Sequence, residues 1–275
     1  MPNLSVSTWS LHRNLGPLRW TVWDDEQNEQ IVEIKAQPET IKLLDLPEKL
    51  ASKGFDMIEI CHFHFPSTDS EYLSELRNAC KRANITFHTL LLDYGDISTN
   101  DPIRREKDLE FIQNWIDIAA TVGAERIRVI AGDSSPDDSE ALERSIQNLN
   151  KLALYATDRG VRIVIENFRA LTSKADNCIK ILKNSDTSIR MITDLGNFKG
   201  DDKYEELATI LPYSDSVHAK ANFDSDGLPD IEEFRTCLDL LVDTNYNGSI
   251  TLIYDGPGDM WEGIERVRKI VDSYL

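Results

Sequence analysis

Residues 161–168 read VRIVIENF, a run of alternating valine and isoleucine that closes on Glu166 and Asn167. Such residues favour a β-strand, and a strand that is apolar over most of its length is typical of a buried parallel sheet. A carboxylate at the end of this strand is costly to bury without a partner, so Glu166 predicts a polar site there. Three later strand-like runs also end in polar side chains: MITDLGN (191–197), VHAK (217–220) and ITLIYDG (250–256).

On both sides of this strand the chain alternates between short apolar runs and longer helical stretches. Predicted strands cover residues 3–9, 55–61, 84–92, 125–131, 161–167, 189–194, 214–220 and 248–254. Predicted helices follow them at 38–53, 69–83, 102–122, 136–159, 173–183, 201–211, 231–242 and 259–274. This alternation indicates an α/β fold with a parallel sheet, and eight units favour a closed (β/α)8 TIM barrel. An open doubly wound sheet is the alternative, but no GxGxxG motif follows the first strand.

The chain of 275 residues fits a single barrel domain over 1–275, because such barrels need about 250 residues. Residues 12–37 interrupt the rhythm after the first strand. Within them LRWTVW and QIVEIKA flank the polar tip DDEQNE, which predicts a β-hairpin insertion. Trp20 and Trp23 on this hairpin indicate either a lid over the site or a dimer contact, so a homo-oligomer stays open.

Composition excludes several classes of partner. A net charge of −18 repels phosphate backbones and anionic membranes, so neither nucleic acid nor membrane is expected as a partner. No segment reaches the roughly 20 apolar residues of a membrane span, and the first residues lack the pattern of a signal peptide. The four cysteines form no CxxC pair and are interpreted as reduced thiols of a cytoplasmic protein.

The active site of a TIM barrel lies at the carboxyl ends of its strands, where Glu166, Asp194 and His218 are predicted to meet. Two carboxylates and one imidazole suit Mn²⁺, Mg²⁺, Co²⁺ or Zn²⁺. Each residue alone is commonly a helix cap, an ion-pair partner or a hydrogen-bonded core residue. It is their equivalent positions on consecutive strands that predict a shared divalent-metal site.

Other side chains near the strand ends are candidates for contact with a substrate. They are Trp9, Glu59, His64, Arg128, Asn167, Asn197 and Phe168. Trp9 and Phe168 could stack on a sugar or simply pack, and Arg128 could clamp an anion or pair with Glu166. Lys220 faces the same way as His218 and is a candidate catalytic residue that steadies a substrate oxygen; its alternative is an ion pair with Glu166 or Asp194.

Five segments resemble the xylose isomerase-like TIM-barrel superfamily, in particular its sugar phosphate isomerase/epimerase branch. They are GFDMIEICHFHFP (54–66), VIENF (164–168), DLGNF (194–198), VHAKAN (217–222) and ITLIYDGPGDMWEGI (250–264). The resemblance implies a metal held by a Glu, an Asp, a His and a second Glu, of which the first three fall on Glu166, Asp194 and His218. It further implies that the two glutamates move protons beside the carbonyl of a ketose or aldose.

The second glutamate of that pattern falls on Ile253, which neither binds a cation nor accepts a proton. Asp255 faces the same way but lies roughly 6.6 Å further along an extended strand. We therefore expect a metal-assisted isomerase or epimerase of a small sugar, with Glu166 as base and a metal site weakened or lost through Ile253. A sugar-binding or regulatory barrel without catalysis is the alternative. An AP-endonuclease-like phosphodiesterase is disfavoured by five histidines and the negative charge.

Overall fold

The computed structural model describes residues 3–185 and 189–275, and it confirms the predicted barrel. Eight parallel strands close into one sheet, and each strand pairs with its neighbours in sequence once the hairpin is left out. The strands are β1 Leu4–Ser7, β4 Met57–Cys61, β5 Thr86–Leu91, β6 Arg126–Arg128, β7 Arg162–Glu166, β8 Arg190–Asp194, β9 Ser214–Lys220 and β10 Ser249–Ile253. Closure leaves no open sheet edge in the barrel itself.

A helix follows each barrel strand and covers the outside of the sheet. The helices are α1 Leu46–Ser52, α2 Ser70–Ala83, α3 Pro102–Val122, α4 Ser139–Thr157, α5 Ala175–Lys183, α6 Lys203–Ile210, α7 Ile231–Asp243 and α8 Met260–Val271. Their apolar faces pack on the outer faces of the strands, where Leu238, Leu252 and Val267 are fully buried. None of the helices among the described residues is long and apolar enough to cross a membrane.

The first helix is shorter than the 38–53 predicted from the sequence. It begins only at Leu46 after a short 3-10 turn, with Pro47 in its first turn, where the missing N–H costs nothing. The preceding residues are not helical because they bond to the chain before the hairpin: Thr40 donates its N–H to the carbonyl of Asn14 at 2.8 Å. The prediction was wrong there because this pairing lies outside any local pattern.

The predicted hairpin insertion after β1 is also confirmed. Strands β2 Leu18–Asp24 and β3 Glu29–Lys35 pair antiparallel as a separate two-stranded sheet. Gln30 ties the hairpin to α3 through a 3.0 Å hydrogen bond to the buried carboxylate of Asp108. The hairpin is therefore held over the barrel mouth by specific polar contacts as well as by its tryptophans.

A bulge in β4 and β5 shapes the barrel interior. The register moves from Ile58 opposite Phe87 to Glu59 opposite Thr89, so His88 is an extra residue on β5. An extra residue of this kind lets two consecutive side chains share one face. His88 and Thr89 thus both contact the carboxylate of Glu59, which is fully buried inside the barrel.

Candidate metal centre

Glu166, Asp194 and His218 meet at the mouth of the barrel. Glu166 and Asp194 are the last residues of β7 and β8, and His218 lies opposite Asp194 in the register of β8 and β9. One ligand atom from each side chain lies within 4.8 Å of the other two, and all three residues are buried. The structure therefore brings together three residues that lie on separate strands and far apart along the chain.

The separations suit a single small cation. His218 Nδ1 is 3.4 Å from Glu166 Oε1 and 3.8 Å from Asp194 Oδ2. Ligand atoms that each lie about 2.1 Å from one ion are roughly 3 to 3.5 Å apart, so the two separations from His218 are close to those around a bound ion. Glu166 Oε2 is buried and accepts no hydrogen bond from any described residue. That oxygen faces Arg128, whose Nε lies 3.4 Å away, whereas Oε1 faces His218. The donor set of two carboxylates and one imidazole fits Mn²⁺, Mg²⁺, Co²⁺ or Zn²⁺.

Glu59 orients the imidazole of His218 from below. Its Oε2 lies 2.7 Å from His218 Nε2, and its Oε1 accepts a 2.8 Å hydrogen bond from the hydroxyl of Thr89. Burial opposes the ionised form, but the charges of His218 and His88 and their hydrogen bonds hold the pKa of Glu59 well below its ordinary value. An ionised carboxylate only accepts, so Nε2 donates its proton and Nδ1 faces Glu166 and Asp194.

The same geometry keeps His218 charged when no metal is bound. Burial lowers the pKa of His218, but the carboxylates of Glu59 and Glu166 outweigh it and raise that pKa well above its ordinary value. A cation at Nδ1 therefore has to displace a proton, and metal binding is coupled to proton release.

Hydrogen bonds with Asn167 and Gly196 hold Asp194 in place. Asn167 donates its side-chain N–H to the carbonyl of Asp194 at 3.0 Å and accepts the N–H of Asp194 at 2.8 Å. The N–H of Gly196 donates to Asp194 Oδ1 at 2.7 Å, which leaves Oδ2 directed towards His218. Asn167, a predicted substrate contact, is 2 % exposed, and its side-chain bonds join the ends of β7 and β8.

Arg128 supports Glu166 from the side. Its Nη2 donates to Asp93 at 2.8 Å, and its Nε lies 3.4 Å from Glu166 Oε2 without the angle of a hydrogen bond. The guanidinium also covers the ring of Phe168 at 4.7 Å from the ring centroid. Burial acts against the charge, but Asp93 and Glu166 raise the pKa of Arg128 further. Both alternatives for Arg128 stay compatible with this position, since it pairs with Glu166 and also borders the cavity.

Lys220 pairs with a carboxylate other than the two considered from sequence. Its Nζ lies 3.2 Å from Asp255 Oδ2, in the loop after β10. Burial lowers the pKa of Lys220, but Asp194 and Asp255 raise it above its ordinary value overall. The stem passes close to Gly196, where a β-carbon would lie 3.0 Å from Lys220 Cγ. Lys220 therefore presents a fixed positive charge beside the three candidate metal ligands.

These groups surround one opening, which we call the mouth cavity, of about 220 Å³. Its lining includes the three candidate ligands and the predicted contacts Trp9, Arg128, Asn197, Phe168 and Lys220. Ile253 also lines it and is 4 % exposed, so an alkyl group occupies the side of the site that faces β10. Asn197 donates to Glu166 Oε1 at 3.3 Å.

Three predicted contacts do not reach the lining of the mouth cavity: Asn167, whose side chain joins β7 and β8, and the more deeply placed Glu59 and His64. Glu59 lies beneath His218 and acts on it directly, as described above. His64 is 1 % exposed, and its Nδ1 lies 2.8 Å from the hydroxyl of Thr8. Burial lowers the pKa of His64 well below its ordinary value, so it is a neutral, packed imidazole. Sequence reasoning missed Asp93, whose signal was a carboxylate directly after the apolar run of β5.

The match to a family model covers most of the barrel. The model described as xylose isomerase-like TIM barrel matches residues 47–270. The chain belongs to the xylose isomerase-like TIM barrel family. The predicted resemblance is thereby confirmed, although no functionally curated protein matches the chain in sequence.

Several solved structures share the fold along nearly the whole chain. D-Allulose 3-epimerase from Methylomonas sp. has a TM-score of 0.71 at 15 % identity, covering 100 % of this chain and 98 % of that one. The 3-keto-D-glucoside 4-epimerase from E. coli has a TM-score of 0.66 at 15 % identity, covering 99 % and 100 %. A xylose isomerase-like TIM barrel protein from Mycobacterium smegmatis in complex with magnesium has a TM-score of 0.66 at 16 % identity, covering 99 % and 96 %.

Proposed function

We propose that this chain is a divalent-metal-assisted isomerase or epimerase of a small sugar or sugar derivative, with Glu166 as the base. The observation that carries the proposal is the convergence of Glu166, Asp194 and His218 on one point in the lining of the mouth cavity. The D-allulose 3-epimerase and the 3-keto-D-glucoside 4-epimerase that share the fold support the substrate class, and the structural relative in complex with magnesium supports the metal.

Each residue of the site has a distinct task in this proposal. Glu166, Asp194 and His218 would hold the cation, which when bound would polarise the carbonyl oxygen of the substrate and the oxygen next to it. Glu166 takes the proton from the carbon beside that carbonyl and returns it, while Asn197 and Arg128 limit the movement of its carboxylate. Lys220 places its positive charge where the substrate oxygen becomes negative, and Asp255 holds that charge in place.

Among isomerase and epimerase reactions, the residues that line the mouth cavity favour proton transfer by a single base. Epimerisation through two bases needs a second carboxylate across the cavity, and Ile253 lies on the β10 side where the family pattern has one. Asp255 is nearby but is paired with Lys220 at 3.2 Å. A proton shift between adjacent carbons needs only one carrier, so Glu166 alone suffices for an aldose–ketose isomerisation.

A sugar-binding barrel without catalysis is the second candidate, and Ile253 is the observation that favours it. Without the second carboxylate, the mouth cavity still offers the aromatic rings of Trp9 and Phe168 and the hydrogen-bonding groups of Asn197 and Lys220. The two candidates differ in one respect: an isomerase or epimerase labilises a carbon-bound proton, and a binder leaves it in place.

Proton exchange in D₂O tests the proposal. The Mn²⁺-reconstituted protein is incubated with a library of ketoses and aldoses, and ¹H NMR follows the carbon-bound protons next to the carbonyl. We expect exchange or isomer formation with at least one sugar, and loss of both in Glu166→Gln. Binding of a sugar with no proton exchange at any position would contradict the proposed isomerase or epimerase and would support a sugar-binding barrel without catalysis.

A further inference from the structure

A second cavity of about 400 Å³ lies between the hairpin and the barrel. We call it the hairpin groove, and its lining includes Trp23, Tyr94 and Arg104. Trp20, Asp93 and Arg169 line both this groove and the mouth cavity, so the two spaces adjoin. The mouth cavity alone, at about 220 Å³, is below the range of about 300–1,000 Å³ typical of small-molecule sites, and the two together fall within it.

The walls of the hairpin groove combine aromatic surface with hydrogen-bonding groups. Trp20 and Trp23 come from β2 and Tyr94 from the loop after β5, so both sides of the groove contribute rings. Trp20 is anchored by Phe63, with ring centroids 4.2 Å apart. Rigid aromatic faces edged by polar groups suit a ligand with one apolar and one hydroxylated side, which is the character of a sugar ring.

The charges of the hairpin groove argue against an anionic ligand. Its lining carries four carboxylates, from Asp25, Glu33, Asp93 and Asp133. Its two guanidinium groups already have acidic partners: Arg169 lies 3.9 Å from Asp133, and Arg104 lies 3.6 Å from Asp108. A phosphate or carboxylate would therefore meet excess negative charge without an unpaired cation to receive it.

Arg169 marks the junction of the two cavities. It has a φ of +72°, in the left-handed region that residues other than glycine rarely adopt. Such backbone conformations are concentrated at ligand sites, where the surrounding structure maintains them. Its guanidinium lies 5.2 Å from the ring centroid of Phe168, which lines the mouth cavity.

From these observations we infer that the substrate is an uncharged oligosaccharide of at least two units, in which the reacting unit keeps its carbonyl group free. Its reacting sugar occupies the mouth cavity beside Glu166, and the next ring lies in the hairpin groove against Trp20 and Trp23. This inference rests on the proposed function and adds to it the size and the charge of the substrate.

Binding measurements with ketoses of different size test the inference. Isothermal titration of the Mn²⁺-reconstituted protein compares D-fructose, its phosphate ester at carbon 6, and the ketose disaccharides turanose, maltulose and isomaltulose. We expect at least one disaccharide to bind about tenfold more tightly than fructose, since a stacked ring contributes an effect of that size. The phosphate ester should bind no better than fructose.

Two variants test whether the second sugar ring binds in the hairpin groove. Trp23→Ala should remove most of the preference for the disaccharide and leave fructose affinity within about twofold, since Trp23 lines only the hairpin groove of the two cavities. Tyr213→Ala is the matched control, because Tyr213 is an exposed aromatic residue at the opposite end of the barrel. Saturation-transfer NMR on the unaltered protein gives an independent reading, in which the second ring should be saturated as strongly as the first.

The outcomes separate this inference from the proposed function. Exchange on fructose without any preference for a disaccharide would overturn the two-unit substrate and leave the isomerase or epimerase standing. Tightest binding of the phosphate ester would overturn the uncharged extension. Absence of binding by every sugar, with the metal present, would contradict the proposed function and the inference with it.

Discussion

Glu59 Oε2 lies 2.7 Å from His218 Nε2, and this contact joins the middle of the barrel to the candidate metal centre at its mouth. Since Glu59 is fully buried and also accepts from Thr89, its carboxylate has little freedom to turn away. The imidazole is thereby held with Nδ1 towards Glu166 and Asp194. Carboxylates that orient a histidine ligand in this way are a recurrent feature of metal sites.

Glu59→Gln should weaken metal binding by about 10- to 100-fold, the range found when the partner of a histidine ligand is replaced. The amide keeps the shape of the side chain but removes the charge that fixes the orientation of His218. Isothermal titration with Mn²⁺ measures the effect, and Glu71→Gln, at an exposed position on α2, is the control. Equal affinities in the two variants would show that Glu59 does not act on the site.

The same contact predicts how the metal-free protein responds to pH. Because Glu59 and Glu166 raise the folded-state pKa of His218 above its ordinary value of 6.5, their stabilisation is fully present below that pH and is lost as the pH rises through the elevated pKa. The lowered pKa of Glu59 affects stability only in acid. The stabilisation that comes from the ionised Glu59 is fully present above its ordinary pKa of 4.5 and is lost as the pH falls below that value.

Thermal unfolding in EDTA between about pH 6 and 9 measures this dependence. We expect the melting temperature to fall more steeply with rising pH in the unaltered protein than in Glu59→Gln, where His218 has lost its main counter-charge. Parallel curves for the two proteins would contradict the charged state assigned to His218.

Ile253→Glu should tighten metal binding by about tenfold or more, because an added carboxylate would face the site from β10 as a fourth ligand. Ile253→Gln introduces a side chain of nearly the same size without the charge and serves as the control. Titration calorimetry with Mn²⁺ compares the two. No difference between them would mean that position 253 does not face the ion.

Removing Arg128 should destabilise the metal-free protein by about 3–5 kcal/mol, because Asp93 and Glu166 would be left in the interior without their cation. Arg128→Met keeps the length of the side chain and removes the charge. Arg162→Met is the control, since Arg162 pairs with Asp215 with half of its side chain exposed. Urea unfolding in EDTA gives the free energies, and equal losses in both variants would contradict a buried ion pair.

The barrel and the convergence of Glu166, Asp194 and His218 could be predicted because both follow from local patterns. Strand ends of a parallel barrel meet on one face, so a polar residue after an apolar run has only one place to lie. The depth of Glu59 could not be predicted in this way. Its contact with His218 depends on a barrel interior that carries a bulge between β4 and β5, and no periodicity in the sequence signals that bulge.

The sequence also could not predict which ion pair forms where several charged residues lie close together. Lys220 faces the mouth as its alternation predicts, but it pairs with Asp255 rather than with Glu166 or Asp194. That choice depends on the path of the loop after β10. The hairpin groove is hidden for a similar reason: the sequence predicts the hairpin, whereas the space beneath it depends on where Gln30 and Thr21 attach to the barrel.

The most direct test of the central claim is a titration of the metal-free protein with Mn²⁺, with free ion measured by electron paramagnetic resonance. We expect one bound ion per chain, and loss of that site in Asp194→Asn and in His218→Asn while the circular dichroism spectrum stays unchanged. A protein that binds no ion, or a site that survives both substitutions in the folded protein, would contradict that claim.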